Sequence, residues 1–177
     1  MGNQQTARVL RRVDAALART VQALTVLLLG IIILTVSISV ITRWLIFYPL
    51  NFADPLSKYL LMWVSFLGAG LVFRTGEHIA VDMLKNKFKG RSERVLLVLL
   101  DVLTSIFLAA VIYYGFQFAW KGRTSHDPFV FGISMMIPYL SVPVGALYAL
   151  IQVNLTTFIQ LLDGESARET RERSAAI

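Results

Sequence analysis

The sequence predicts an all-α membrane protein with four transmembrane helices and short amphipathic helices at the membrane surface. Long runs with few or no charges divide the chain, and 56% of its 177 residues are hydrophobic while 16% are charged. Soluble domains average about 45–50% and about 25%. The basic residues lie beside the apolar runs, which membrane orientation explains better than nucleic-acid binding does. Cysteine is absent from the sequence, which excludes disulfides and thiol chemistry.

Residues 1–19 form a basic arm whose apolar residues recur with a helical period, as expected for a helix lying on the membrane surface. The next 23 residues, 20–42, carry no charge. The apolar core of a signal peptide is about 7–15 residues long and ends at small residues. We therefore predict an uncleaved first span over residues 20–46. Thr35, Ser39 and Thr42 share one face of it, which favours hydrogen bonds between helices over an ion path.

The second span is predicted over residues 56–74, a short stretch that holds Lys58 and Arg74 near its ends. The 15 uncharged residues between these cations cover about 22 Å of helix, whereas the hydrocarbon core is about 30 Å thick. Snorkelling of both cations can lengthen the span. The alternative is a half-buried segment that does not cross the membrane.

The third span is predicted over residues 95–120, after a polar loop, 74–94, part of which suits a short helix in the headgroup plane. This span holds one acid, Asp101, about two turns in. Asp101 shares a helical face with Ser105, and an ionisable residue within a membrane span rarely faces lipid. We therefore predict that its carboxylate is hydrogen-bonded within the protein.

The fourth span is predicted over residues 138–162, the second part of an uncharged run that begins at residue 128. Pro138 suits the first position of a helix, which leaves 129–137 as an interfacial lead-in. Pro143 should bend the first turns. The polar C-terminal tail, 163–177, carries both charges and is predicted to be disordered.

The distribution of cations predicts the orientation of the four spans. Of the 17 lysines and arginines, 13 lie in the N-terminal arm, the 74–94 loop and the tail, and 4 lie on the other side. Cytoplasmic loops carry the excess of lysine and arginine. Both termini are therefore predicted to be cytoplasmic.

Residues 58–82 combine glycine, polar residues and a membrane boundary. Trp63 is interpreted as a packing residue, and Gly68 and Gly70 would let a helix of this chain or of a partner approach closely. A polar cluster follows, comprising Arg74, Gly76, Glu77, His78 and Asp82. Because phosphate loops, nucleophile elbows and redox motifs are absent from the sequence, this cluster is the main candidate for chemistry.

The polar cluster favours a structural role at the membrane boundary. Gly76 would cap the second span in the left-handed conformation, and Arg74 would pair with Glu77 or Asp82. His78 lies in the same turn. A metal site on the two acids and His78 is the alternative, but two or three ligands without a second cluster are a weak signal.

Several short stretches carry a resemblance to a known family. They are ADPLSKYL at 53–60, Trp63, FLGA at 66–69, R-x-G-x-H-I-x-V-D at 74–82, IPY at 137–139 and VPVG at 142–145. Together they resemble the small membrane (Q-type) subunit of TRAP transporters, the tripartite ATP-independent periplasmic transporters. The sequence departs from that family where Asp54 and Lys58 replace a Glu–Arg pair. Lysine cannot form the bidentate fork that arginine forms with a carboxylate.

The resemblance implies a small permease subunit that anchors a large elevator-type membrane subunit. The complex would take up an organic acid with sodium, delivered by a periplasmic substrate-binding protein, across the bacterial inner membrane. The resemblance implies that the chain has no enzymatic activity and no cofactor. It also implies membrane lipids as further partners. The candidate scaffold or interface residues are Asp54, Lys58, Trp63, Gly68, Gly70, Arg74, Gly76, Glu77, His78, Asp82, Asp101, Pro138 and Pro143.

Two other classes of function remain open from the sequence. A free-standing four-helix exporter or channel would use Asp101 as a coupling acid. A membrane enzyme would be built on Glu77, His78 and Asp82.

Overall fold

The computed structural model describes residues 2–47, 50–75 and 91–175, with side chains for 9–45, 47, 50–73, 95 and 98–159. The helices are α1 (Gly2–Ile41), continued by a π-helical turn (Thr42–Ile46), then α2 (Ala53–Thr75), α3 (Arg91–Lys121), α4 (Met136–Tyr139) and α5 (Ser141–Ala175). A short 3-10 turn (Gly122–Thr124) and strands β1 (His126–Asp127) and β2 (Ile133–Ser134) lie between α3 and α4.

Four segments within the described residues are long and apolar enough to cross a membrane: Val9–Leu45, Ala53–Phe73, Val98–Thr124 and Met136–Ile159. The predicted class, a helical membrane protein with four spans, is confirmed. The fourth span combines α4 and α5, which are separated by Leu140 alone.

Helix α1 unites the predicted arm and the predicted first span. It runs for 40 residues without a break, about 60 Å at 1.5 Å per residue. Alanine and leucine, which favour helix, occur on both sides of residue 19, and proline does not interrupt the run. Near its end, the Thr42 hydroxyl donates to the carbonyl of Ile38 at 2.9 Å, a bond within the helix itself.

Helix α2 is longer than the predicted second span. Its 23 residues extend about 34 Å, enough to cross a roughly 30 Å hydrocarbon core. It begins at Ala53, where Asp54 suits the positive end of the helix dipole. Pro55 follows in the first turn, where a missing N–H is tolerated. The short uncharged run is therefore shorter than the helix itself, because the ends of a helix can contain polar residues and proline.

A β-hairpin occupies most of the predicted interfacial lead-in. Strands β1 and β2 pair antiparallel, with His126 opposite Ser134 and Asp127 opposite Ile133. Phe131 (φ 51°) and Gly132 (φ 69°) turn the chain between them, in a region of φ that side chains rarely adopt.

The start of the fourth span differs from the prediction at Pro138. Helix α4 begins at Met136, so Pro138 is its third residue and not its first. The helix is interrupted at Leu140, next to Tyr139, whose carbonyl is the one that the ring of Pro143 would meet. We attribute the interruption to Pro143.

The predicted disorder of the tail is wrong for its backbone, because α5 continues to Ala175. Residues 165–175 are rich in glutamate, alanine and arginine, which favour helix. The pair Glu169 and Arg173 stands at the favourable i, i+4 spacing.

The core of the bundle lies around α5, which contacts α1, α2 and α3. Half of its most apolar window is buried, compared with none of that of α1. The buried cluster consists of Leu108, Ala146, Ala149 and Val153, with Phe73, Val111, Ile112 and Leu150 packed against it. Small residues on α5 let the neighbouring helices approach closely.

Candidate interaction site

One face of α2 is closed by α5 through two glycines. A Cβ added to Gly70 would lie 2.2 Å from the ring of Tyr148 on α5. A Cβ added to Gly145 on α5 would lie 2.5 Å from the Cβ of Phe66 and 2.8 Å from its backbone carbonyl. Each helix therefore offers a glycine to an aromatic residue of the other. For Gly70, the approaching helix belongs to this chain.

A second face of α2 is open. Leu61, Ser65, Ala69 and Val72 are exposed along it, at the spacing of one helical stripe. Gly68 lies in the same stripe, and a Cβ added there would meet nothing within 4 Å. We call residues 61, 65, 68, 69 and 72 the open stripe. Small side chains at its centre leave a shallow groove between Leu61 and Val72.

The first turns of α2 are tied to the β-hairpin by a buried acid. The Tyr59 hydroxyl donates to Oδ2 of Asp127 at 2.5 Å, and the Phe129 N–H donates to its Oδ1 at 2.8 Å. Asp127 is only 6% exposed. Sequence reasoning missed this contact, although Asp127-Pro128 is a turn signal in which an aspartate accepts from the backbone two residues on.

Hydrogen bonds between side chains join α3 to α5. Thr157 Oγ1 donates to Oδ1 of Asp101 at 2.8 Å, and Asn154 Nδ2 donates to Oγ of Ser105 at 3.2 Å. Asp101 therefore points at protein and shares its side of the helix with Ser105, as predicted. Thr157 of α5 thus donates to a carboxylate that would be costly to expose to lipid.

A further polar contact joins the N-terminal part of α1 to α5. Gln152 Nε2 donates to Oδ1 of Asp14 at 3.0 Å, and Gln152 is completely buried. This contact connects residues 138 apart in sequence, and sequence reasoning missed it. The available signal was the presence of Gln152 and Asn154 inside a long apolar run, where polar residues usually face protein.

The other predicted site residues divide into three groups. Asp54 and Lys58 are exposed in the first turns of α2, and within the described residues they form no ion pair with each other. Trp63 is half-buried and stands, by register, on the closed face between Tyr59 and Phe66. Pro138 and Pro143 are both buried at the start of the fourth span.

Most of the predicted polar cluster lies outside the described residues. Gly76, Glu77, His78 and Asp82 belong to this undescribed part, and Arg74 is described only as backbone near the end of α2. Its predicted ion pairs and the metal alternative therefore stay predictions. Among the residues that are described, no group of three or more His, Cys, Asp or Glu could hold a metal ion.

Comparison with known proteins identifies relatives over most of the chain. The family model for the DctQ component of tripartite ATP-independent periplasmic transporters matches residues 32–164. The chain is 22% identical over 127 residues to the sialic acid TRAP transporter small permease protein of Vibrio cholerae, covering 72% of this chain and 73% of the relative.

Two further relatives carry similar names. The ectoine TRAP transporter small permease protein of Halomonas elongata is 25% identical over 142 residues, covering 77% of this chain and 72% of the relative. A putative TRAP transporter small permease protein of Haemophilus influenzae is 26% identical over 88 residues, covering 50% of this chain and 55% of the relative.

Proposed function

The chain belongs to the family of DctQ components, the small permease subunits of TRAP transporters, and from this premise we propose that it is a fixed scaffold. It anchors a large membrane subunit, which carries substrate by an elevator motion. A periplasmic binding protein delivers the substrate, an organic acid, and sodium drives its uptake. The small subunit itself catalyses no reaction.

The observation that carries this proposal is the open stripe on α2. The bundle already uses the other face of this helix, where Gly70 receives Tyr148. On the open stripe the small residues Ser65 and Ala69 are exposed, and a Cβ added to Gly68 between them would meet nothing within 4 Å. In lipid, close packing of such residues drives helix association, so we propose that a helix of the large subunit lies along this stripe.

The two other long apolar helices are also exposed, but this exposure does not define a second region of contact. The most apolar window of α1 has no buried residue, and that of α3 is 6% buried. Lipid can cover apolar surface without cost, so exposure alone does not identify a partner. The open stripe differs because its small residues leave a groove that a helix fills better than disordered acyl chains.

A substitution at Gly68 tests the docking proposal. A Cβ at Gly68 meets nothing within 4 Å, so Gly68→Leu should still fold while its co-purification with the large subunit falls. Ala110→Leu on α3 is the matched control, because Ala110 is an exposed small residue in another span. Equal co-purification of Gly68→Leu, Ala110→Leu and wild type would contradict docking on this stripe.

We also propose the bacterial inner membrane, with both termini and the 74–94 loop in the cytoplasm. The support is the distribution of cations, 13 against 4. Reporter fusions at Asn51, Lys89, Ser125 and Ala175 test this topology. Lys89 and Ala175 should report cytoplasm and the other two periplasm, and a periplasmic signal at Lys89 would reverse the assignment.

The junction around Arg74 is proposed to shape the docking surface. Arg74, with Glu77 or Asp82, would set the angle between α2 and the segment that follows. Such a charge-assisted bond contributes about 1.5–3 kcal/mol, enough to hold a local geometry. Arg74→Ala or Asp82→Ala should lower the amount of assembled complex, while substrate affinity of the complex that forms stays near normal. Intact assembly with a sharp loss of affinity would place these residues in a binding site.

The class of substrate is proposed from the family. One relative's name specifies sialic acid and another's ectoine. Small subunits of similar sequence therefore occur with different substrates, which supports a scaffold that does not contact the substrate. Uptake assays of the assembled complex with a panel of organic acids would identify it.

A further inference from the structure

A cavity of about 400 Å³ lies where α1 ends and α2 begins, within the range of small-molecule sites. Its wall includes Arg43 and Trp44 of the π-helical turn, Asp54 of α2 and Phe129 of the hairpin. Elements far apart in sequence therefore converge on one space. π-Helical turns are rare and often occur at functional sites, and this one presents Arg43 to the cavity.

The wall of the cavity carries two side chains of opposite charge. Arg43 and Asp54 are both exposed, and neither forms an ion pair or a side-chain hydrogen bond with any described residue. A guanidinium presents a fork of donors that matches a phosphate. A carboxylate accepts hydrogen bonds and suits a primary ammonium. The pair is complementary to a zwitterion that carries both groups.

The position of the cavity indicates a lipid. The apolar window of α1 ends at Leu45 and that of α2 begins at Ala53, so the cavity lies at the level of the headgroups. Val36 and Val40 also line it, and they stand seven and three residues before Arg43, on the same side of α1. This apolar wall descends from the charges toward the membrane interior, as an acyl chain would.

We propose that this cavity binds the headgroup of an ethanolamine phospholipid. Arg43 holds the phosphate diester, Asp54 accepts from the primary ammonium, and the first acyl carbons lie against Val36 and Val40. An anionic lipid would bind Arg43 through its phosphate, but it has no ammonium for Asp54 and its negative charge would repel that carboxylate. A choline headgroup has no N–H to donate to Asp54. The same headgroup chemistry occurs in soluble glycerophosphoethanolamine, which lacks the chains that the apolar wall would contact.

Photolabelling of the full-length chain in nanodiscs tests the proposal, and it does not require the large subunit. Trace phospholipids with a photoreactive group near the glycerol carry an ethanolamine, choline or glycerol headgroup, and labelled peptides are mapped. The ethanolamine lipid should label the peptide of residues 36–43 several-fold more than the other two lipids. Equal labelling by all three would overturn the proposal.

Two variants and one competitor assign the contacts. Arg43→Gln should reduce labelling by every phospholipid several-fold, while Lys121→Gln, which removes a cation outside the cavity, should not. Asp54→Asn should abolish the preference for ethanolamine over choline, a ratio that does not depend on protein yield. Unchanged labelling in Arg43→Gln, or an unchanged ratio in Asp54→Asn, would contradict the assignment. Excess glycerophosphoethanolamine should not compete, and displacement by it would show that the ligand is soluble rather than a lipid.

Discussion

Helix α2 presents two faces that differ in what lies against them. On the closed face, Gly70 receives Tyr148, and Phe66 sits against Gly145. On the open stripe, two residues away from Gly70, Gly68 has nothing within 4 Å of its added Cβ. One cluster of small residues therefore serves the fold on one side and leaves a surface on the other.

The two faces show that a glycine in a membrane helix does not by itself identify what packs against it. A small residue permits close approach, but the approaching helix can belong to the same chain or to a partner. At Gly70 it is α5 of the same chain. At Gly68 the groove is empty, and the family's large subunit is the proposed occupant. Substitutions that separate the two faces should therefore separate folding from assembly.

The largest effect is expected at Gly145, on the closed side. An alanine there would place its Cβ 2.8 Å from the backbone of Phe66, and backbone cannot rotate away. Gly145→Ala should destabilise the isolated chain by about 1–3 kcal/mol, measured by thermal unfolding in detergent. Gly30→Ala is the matched control, since nothing lies within 4 Å of its added Cβ. Equal stability of the two variants would contradict the close crossing.

The next effect is expected at Tyr59, where the closed face meets the hairpin. Tyr59→Phe removes a donor from the buried carboxylate of Asp127, which should cost about 1–3 kcal/mol. Amide hydrogen exchange in residues 126–134 should rise. Tyr113→Phe is the control because Tyr113 is exposed on α3. Unchanged exchange in Tyr59→Phe would show that the hairpin is held without this bond.

A smaller effect is expected between α3 and α5. A double-mutant cycle of Asp101→Asn and Thr157→Val should give a coupling of about 0.6 kcal/mol, typical of side-chain hydrogen bonds in membranes. Asp101→Asn should also retain most transport in the assembled complex. Complete loss of transport with normal assembly would instead favour Asp101 as a coupling acid.

The smallest change in stability is expected on the open stripe. Gly68→Ala should alter the unfolding free energy of the isolated chain by no more than about 0.5 kcal/mol in the destabilising direction, the usual range for surface substitutions. Gly70→Ala should destabilise it clearly, because Tyr148 must move. If both variants unfold alike, the two faces are not distinct.

Local sequence patterns predicted much of the fold. Three long apolar runs and one shorter run indicated four spans, because the thickness of the bilayer sets the length of a spanning helix. Asp101 was predicted to face protein because a carboxylate in lipid is costly, and Thr157 indeed binds it. The boundaries were less accurate, since Asp54, Pro55 and the tail all continue helices beyond the uncharged runs.

The sequence by itself determined the spans, their proposed orientation and the family, because hydropathy, charge and short motifs are local properties. Only the tertiary structure decided that Gly70 faces α5 while Gly68 does not, and that Gln152 reaches Asp14 across the bundle. The physical reason is the solvent. In water, apolar residues must be buried and so mark the face that packs, whereas lipid covers any apolar face equally well. Hydrophobicity therefore identifies a membrane helix without identifying which of its faces meets protein.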